Sequence, residues 1–167
     1  MSGLCATIED YPEEGIVFKD LTPVFADGAA LKEVVDAIVE KFAGKFDAVA
    51  GVEARGFLLA AAAAYATGTG VITIRKAGKL PREVYAQSYA LEYGEATLEL
   101  HQEDVPAGTR VLILDDVLAT GGTLGAAAAL LERTGATVAG IGVVLEIDAL
   151  PGRNNLAAHD VVSLLHV

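Results

Sequence analysis

Two adjacent acids and the short loop after them are the residues of this chain best suited to do chemistry. Asp115 and Asp116 follow the apolar residues 111–114, and residues 119–123 (Ala-Thr-Gly-Gly-Thr) precede an alanine-rich stretch. This order predicts a buried strand, an acidic edge, a loop and a helix. Glycine has no Cβ, so backbone N–H groups can approach an anion closely, and the helix N-terminus favours the same charge.

Residues 119–123 are therefore predicted to bind a phosphate, and we call them the phosphate loop. The candidate phosphate ligands are Ala119, Thr120, Gly121, Gly122 and Thr123. The acid pair would repel a phosphate, whereas vicinal ribose hydroxyls supply the donors that carboxylates accept. A group with both features is a ribose 5-phosphate. The simpler interpretation, a turn with exposed acids and a helix cap, explains the loop but not the acid pair.

A cluster of basic residues points to a second anionic group. The net charge is −11, yet four of the 12 basic residues, Arg75, Lys76, Lys79 and Arg82, fall within eight positions. A dense patch of cations on an acidic protein indicates a local polyanion. The alternative is a solvated basic loop, and the presence of a phosphate loop elsewhere in the chain favours the polyanion.

Size and composition exclude several classes of protein. A length of 167 residues predicts one domain, residues 1–167. The sequence contains no run of 18 apolar residues, so a membrane span is not predicted, and it contains no basic segment followed by an apolar core, so export is not predicted. The acidic net charge argues against a nucleic-acid partner. Cys5 is the only cysteine, which excludes an intramolecular disulfide and predicts a cytoplasmic location. The three histidines lack metal-ligand spacing, so we expect structural or surface roles for them.

The hydrophobic pattern predicts alternating strands and helices. The predicted helices are residues 31–42, ending near Gly44, then 56–67 and 124–133. The predicted strands are residues 48–52, 71–75, 111–114, 137–147 and 161–165, with a hairpin or flap at 84–91 and 96–101. This alternation predicts an α/β fold with a mainly parallel twisted sheet flanked by helices. Ligands of such sheets bind beyond the carboxyl ends of the strands, where the acid pair is expected.

Residues 111–123 resemble the phosphoribosyl pyrophosphate (PRPP) signature of type I phosphoribosyltransferases, a hydrophobic strand followed by two acids and a T-G-G-T loop. Three further segments resemble the adenine phosphoribosyltransferases within that family. They are residues 10–20 (DYPEEGIVFKD), residues 51–57 (GVEARGF), and residues 75–83 (RKAGKLPRE) continuing to 88–94 (SYALEYG). All four segments occur in the order that the family shows.

The resemblance implies a type I phosphoribosyltransferase fold with a small flap or hood. It also implies a purine-salvage reaction in which adenine and PRPP give AMP and pyrophosphate. Mg²⁺ would be carried by PRPP with no direct protein ligand, and the protein would be a homodimer. The implied pyrophosphate ligands are Arg55, Arg75, Lys76 and Lys79, some of them acting across the dimer interface. The implied adenine ligands are Val17, Phe18 and Lys19, and the implied catalytic residues are Glu92 and Arg55.

Two departures from the family pattern and two other functions remain open. Lys19 stands where the family usually has arginine, and residues 59–61 (Leu-Ala-Ala) replace a small turn. One alternative is a phosphoribosyltransferase for hypoxanthine, guanine or xanthine, which a competition between bases distinguishes. The other is a PRPP-sensing regulator, which a gel shift against nucleic acid distinguishes.

Overall fold

Short strands and helices alternate along the chain in the computed structural model, which describes residues 3, 5–11, 14–15, 17–91 and 93–167. The strands are β1 (Ala6–Glu9), β2 (Val17–Asp20), β3 (Ala48–Val52), β4 (Gly70–Lys76), β5 (Val84–Ala90), β6 (Glu95–His101), β7 (Arg110–Leu118), β8 (Thr137–Glu146) and β9 (Val161–His166). The helices are α1 (Thr22–Ala26), α2 (Gly28–Lys41), α3 (Gly56–Thr67), α4 (Gly122–Arg133) and α5 (Gly152–Asn155).

Seven of these strands form one sheet, in the order β5-β6-β4-β3-β7-β8-β9. The neighbouring strands β4, β3, β7, β8 and β9 pair in parallel, whereas β6 pairs antiparallel with both β4 and β5. Strands β1 and β2 form a separate antiparallel pair. We call the β5–β6 hairpin the flap and the β1–β2 pair the hood.

Alternation along the central strands buries both faces of the sheet. In β7, Val111 and Ile113 pack with α4, whereas Leu112 and Leu114 pack with α2 and α3 on the opposite face. Successive side chains of a strand point to opposite faces, so a continuous apolar run fits a strand covered on both sides. The centre of the sheet, beside the acid pair, is therefore covered on both faces.

The predicted α/β fold with a mainly parallel sheet is confirmed, and three predicted boundaries were wrong by two residues or more. Helix α2 begins at Gly28, three residues before the predicted start, because the Asp27 side chain accepts from the backbone N–H of Ala30 and caps the helix there. Strand β7 continues to Leu118 rather than ending at Leu114, because Val117 and Leu118 pair in parallel with Leu145 and Glu146 of β8. Helix α4 begins at Gly122, two residues before the predicted start, so Gly122 and Thr123 lie in its first turn. None of the helices in the described part of the chain is long and apolar enough to cross a membrane.

Candidate active site

The acid pair lies within β7, close to the start of α3. Gly56, the first residue of α3, approaches the β7 backbone so closely that a Cβ on it would lie 2.7 Å from the carbonyl oxygen of Leu114. This close approach brings Arg55, the residue before the helix, to the acid pair: its Nε lies 2.8 Å from Oδ2 of Asp116. A cation and two carboxylates thus meet at the carboxyl end of the central strands.

The two acids differ in their surroundings. Asp116 is buried, and among the described residues its Oδ2 has no hydrogen-bond partner, since the Arg55 contact is an ion pair without hydrogen-bond geometry. Asp115 accepts a hydrogen bond from the backbone N–H of Asp116, at 2.9 Å. Burial and the neighbouring Asp116 carboxylate raise the pKa of Asp115 well above its ordinary value. Asp116 therefore has a cation partner but unfilled acceptor capacity, while burial disfavours the charged form of Asp115.

The phosphate loop surrounds a cavity of about 80 Å³ at the end of β7. Gly121 has a φ of +82°, in the left-handed region that favours glycine, and α4 begins at the next residue. The cavity is lined by Asp115, residues 117–120, both loop glycines, Thr123 and Leu124. Backbone N–H groups of the first helical turn are unpaired within a helix and attract anions. The structure thus brings together the acid pair and the phosphate loop as the sequence predicted.

Tyr89 of the flap contacts the phosphate loop, a feature that the sequence analysis missed. The Thr123 hydroxyl donates to the Tyr89 hydroxyl at 3.2 Å, and a Cβ on Gly122 would lie 3.2 Å from the Tyr89 ring. At the other end of α4, Arg133 donates to the carbonyl oxygen of Ala86. The flap is therefore packed along the helix that begins at the phosphate loop.

A single glutamate, also missed from the sequence, organises the basic cluster. Glu53, directly after β3, forms ion pairs with Lys79 and with Arg75, whose Nε lies 3.4 Å from Oε2, and accepts from the backbone N–H of Lys76 at 2.9 Å. The Lys79 hydrogen bond is the largest effect that lowers the pKa of Glu53. Two of the four predicted cations, Arg75 and Lys79, therefore pair with one carboxylate, and Lys76 contacts it through its backbone N–H.

The fourth cation of the cluster, Arg82, lies in a different environment. It donates to Asp104 at 2.7 Å and lies 2.9 Å from Nδ1 of His101. The interpretation of four basic residues as one patch was therefore wrong for Arg82.

His166, expected to be structural or on the surface, lies 2.8 Å from Asp148 and 3.8 Å from Glu146, and Arg153 pairs with the same glutamate.

An apolar slot of about 160 Å³ lies between the hood and the ends of β7 and β8. Its lining residues are Val17, Phe18, Lys19, Val117, Leu145, Ile147 and Val167. Phe18 is half-buried and its ring meets that of Tyr11 edge-on, with centroids 5.3 Å apart. The Lys19 ammonium donates to the Thr7 hydroxyl at 2.7 Å, so this side chain is held within the hood. The three residues predicted from the hood strand thus line one slot.

Comparison with known proteins places this arrangement in a family. Residues 24–164 match the phosphoribosyl transferase domain family. The adenine phosphoribosyltransferase of Arthrobacter sp. (strain FB24) is 72% identical over 167 residues, covering 100% of this chain and 90% of that protein. The chain belongs to the adenine phosphoribosyltransferase family. The resemblance found in the sequence is therefore confirmed.

Solved structures of adenine phosphoribosyltransferases share this fold. The Thermoanaerobacter pseudethanolicus protein superposes with a TM-score of 0.95 at 43% identity, covering 99% of this chain and 97% of the other. The Saccharomyces cerevisiae protein, whose crystal structure contains an imino-altritol bisphosphate and adenine, gives a TM-score of 0.93 at 37% identity, covering 98% and 96%. The type I phosphoribosyltransferase fold is therefore confirmed as well.

Glu92, the catalytic candidate of this adenine phosphoribosyltransferase family member, lies outside the described residues. The residues on either side belong to the turn of the flap, between β5 and β6. Its assignment therefore rests on the sequence resemblance alone.

Proposed function

We propose that this chain transfers the phosphoribosyl group of PRPP to adenine in purine salvage, giving AMP and pyrophosphate. The observation that carries the proposal is the meeting of the acid pair, the phosphate loop and Arg55 at one edge of the sheet. A ribose 5-phosphate needs carboxylate acceptors for its hydroxyls and N–H donors for its phosphate, and this edge supplies both.

The acid pair and the phosphate loop hold the ribose 5-phosphate in this proposal. Asp116, whose Oδ2 pairs with Arg55 but accepts no hydrogen bond from the described residues, accepts the ribose hydroxyls, assisted by Asp115, and residues 119–123 donate to the 5-phosphate. A buried carboxylate oxygen without a hydrogen bond is costly, and a hydroxyl donor from the substrate lowers that cost. Binding at fixed points on β7 and α4 positions the anomeric carbon for attack by the base.

The leaving pyrophosphate lies among Arg55, Arg75, Lys76 and Lys79. Because Lys79 and Arg75 pair with Glu53, the pyrophosphate group of bound PRPP competes with a protein carboxylate for the same cations. Cations that are already directed towards this edge stabilise the charge that develops on the leaving group without being reorganised from solvent.

Mg²⁺ is proposed to be carried on the oxygens of PRPP, without a direct protein ligand. The Asp116 Oδ2, which accepts no hydrogen bond from the described residues, suits this arrangement, because a carboxylate can accept hydrogen bonds from water or hydroxyls bound to the ion. When bound, Mg²⁺ neutralises part of the charge on the pyrophosphate.

Adenine is proposed to occupy the slot lined by Val17, Phe18 and Lys19. The slot is mostly apolar, which suits a planar base, and the Phe18 ring supplies an aromatic face. Because the Lys19 side chain is held by Thr7, the backbone of the hood strand rather than this ammonium is the group that reads the edge of the base.

A panel of bases tests the proposed reaction. With PRPP and Mg²⁺ present, adenine should give AMP, while hypoxanthine, guanine and xanthine should react far more slowly. Equal or faster turnover of a 6-oxopurine would assign another substrate to this site. Absence of any nucleotide product, together with tight PRPP binding, would indicate a PRPP sensor instead.

Glu92 is proposed to interact with the purine as its proton shifts. Glu92→Gln keeps the size of the side chain and removes its charge, so kcat should fall while PRPP affinity remains nearly unchanged. Glu95→Gln, at the exposed start of β6, is the matched control. Steady-state kinetics with adenine and calorimetry with PRPP separate the two effects, and a wild-type kcat in Glu92→Gln would remove this residue from the mechanism.

A homodimer in the cytoplasm and a single domain over residues 1–167 complete the proposal. Support for the homodimer comes from the apolar side chains that α3 and β4 expose, Leu58, Tyr65 and Val71, of which Tyr65 is 93% exposed. Such surfaces on a folded protein often mark a protein interface. Sedimentation velocity of the wild type and of Tyr65→Glu tests it: the wild type should sediment as a dimer, and the variant should shift towards the monomer.

A further inference from the structure

Helix α5 packs directly against the back of the phosphate loop. A Cβ on Gly152 would lie 2.2 Å from the carbonyl oxygen of Ala119 and 2.8 Å from the Leu118 side chain. A Cβ on Gly121 would lie 2.9 Å from the carbonyl oxygen of Gly152. Only glycines allow these two backbones to come so close, so the position of α5 and the path of the loop depend on each other.

Asn155, at the end of the same helix, forms a hydrogen bond with the loop backbone. Its Nδ2 donates to the carbonyl oxygen of Thr120 at 2.7 Å. Asn155 lines a separate cavity with Tyr89 and the outer side of the loop, not the cavity enclosed by the phosphate loop. This side chain therefore contacts the loop from behind, away from the space proposed for the phosphate.

The geometry of the peptide unit gives this bond a consequence for anion binding. The C=O and N–H of a trans peptide point in opposite directions. Because Asn155 binds the Thr120 carbonyl, the N–H of Gly121 in the same peptide unit points away from Asn155, and Gly121 also lines the cavity that the loop surrounds. Without this bond the peptide could rotate and present its carbonyl oxygen, which repels a phosphate.

We infer that Asn155 is a positioning residue for the 5-phosphate, acting through the Thr120–Gly121 peptide rather than by contact with the substrate. This inference rests on the proposed function, because it concerns the phosphate of the same nucleotide. Gly152 supports the same role, since it allows α5 to approach the loop closely enough for the Asn155 hydrogen bond.

Paired calorimetric titrations with AMP and adenosine test the inference, because the two ligands differ only in the 5-phosphate. Asn155→Ala should weaken AMP binding by about three- to tenfold and leave adenosine binding unchanged. In steady-state kinetics the KM for PRPP should rise while the KM for adenine stays the same. A general structural defect would not separate the two ligands in this way. Asn154→Ala is the matched control, because Asn154 is a neighbouring exposed residue of the same helix for which no side-chain hydrogen bond to the described part of the loop is present.

A second variant keeps the size of the side chain and removes the donor. Asn155→Asp places a carboxylate against the Thr120 carbonyl, so it should lose at least as much AMP affinity as the alanine variant. If either Asn155 variant binds AMP like the wild type, the inference is wrong. The proposed function fails separately, if the wild type itself binds AMP no better than adenosine.

Discussion

At the residue scale, some groups of the site were predictable from the sequence, but the residues that contact them across the fold were not. Asp115, Asp116 and the phosphate loop stand next to one another in the chain, so their common location followed from local order. The contacts of Arg55 with Asp116 and of Asn155 with Thr120 join residues far apart in sequence. A local pattern carries no information on such pairs, because tertiary packing alone brings them together.

Thr123 is expected to donate a hydrogen bond to the 5-phosphate from the first turn of α4. Thr123→Ala should weaken both PRPP and AMP by about 1.5–3 kcal/mol, as for other hydrogen bonds to charged groups, with adenine little affected. Calorimetry with each ligand measures the loss. Thr109→Ala is the control, since its hydroxyl donates to the Pro106 carbonyl at the opposite end of β7. Unchanged AMP affinity in Thr123→Ala would exclude this hydroxyl from phosphate binding.

Ionisation of Asp115 should lower the free energy of unfolding of this protein. Its pKa is raised in the folded protein, by burial and by Asp116, above the ordinary value of 3.8. The unfolded chain therefore releases this proton at lower pH than the folded protein, so stability falls as pH rises from 3.8 towards the folded pKa and stays lower above it.

Asp115→Asn removes this cost while keeping the shape of the side chain. The variant should be more stable than the wild type at neutral pH, on the order of 1 kcal/mol, and should lose PRPP affinity. Thermal melts from pH 3 to pH 8 should show the two proteins converging at the acidic end. The surface variant Asp160→Asn serves as control, and a gain that persists unchanged at the acidic end would contradict the ionisation argument.

At the element scale, long segments were predictable and the shortest ones were not. Helix α3 was predicted at its observed bounds from its run of small apolar residues and the Gly68 that follows, and the flap was predicted from alternation around a turn. Helix α5 has four residues and the hood strands have four each, too few for a period to appear. Strand β7 was predicted too short because its acid pair interrupts the apolar run, although pairing with β8 continues to its end.

The starts of β3 and β7 are joined by an ion pair at the edge opposite the site. Arg110 donates to both carboxylate oxygens of Asp47, at 3.0 and 2.6 Å, and its backbone N–H donates to the same group. These hydrogen bonds lower the pKa of Asp47 to about 2. A carboxyl group whose pKa is lower in the folded protein than in the unfolded chain stabilises the fold at pH values above its unfolded pKa. This stabilisation is lost as the pH falls through the pKa of the folded protein.

Asp47→Asn should therefore lower the melting temperature at neutral pH, on the order of 1–2 °C because the pair is exposed. The difference from the wild type should shrink between about pH 4 and pH 2, since the wild-type carboxyl is then protonated as well. Asp36→Asn, which removes an exposed pair with Lys32 within α2, is the control. A difference that stays constant down to pH 2 would show that ionisation of Asp47 is not its cause.

At the scale of the whole molecule, the proposed ligand groups come from separate parts of the fold. The slot is formed by the hood and the sheet, and the phosphate loop by the end of β7 and the start of α4. The cations come from the segment after β3, from the end of β4 and from the segment after β4. A nucleotide that spans the slot and the loop therefore joins the hood to the sheet. Its binding should stabilise the entire molecule, not a local segment.

AMP should raise the melting temperature by an amount that its affinity determines. At a free concentration 100 times its dissociation constant, a ligand of the folded state adds about 2.7 kcal/mol of stability. For a domain of this size each kcal/mol shifts the melting temperature by about 2–4 °C, so a shift of about 5–11 °C is expected.

Adenosine at the same concentration should give a smaller shift, because it fills the slot but leaves the phosphate loop empty. Scanning calorimetry with both ligands measures the difference, and equal shifts would mean that the loop contributes nothing to binding. Thr123→Ala removes one donor to the phosphate, so it should reduce the AMP shift towards that of adenosine while leaving the adenosine shift unchanged.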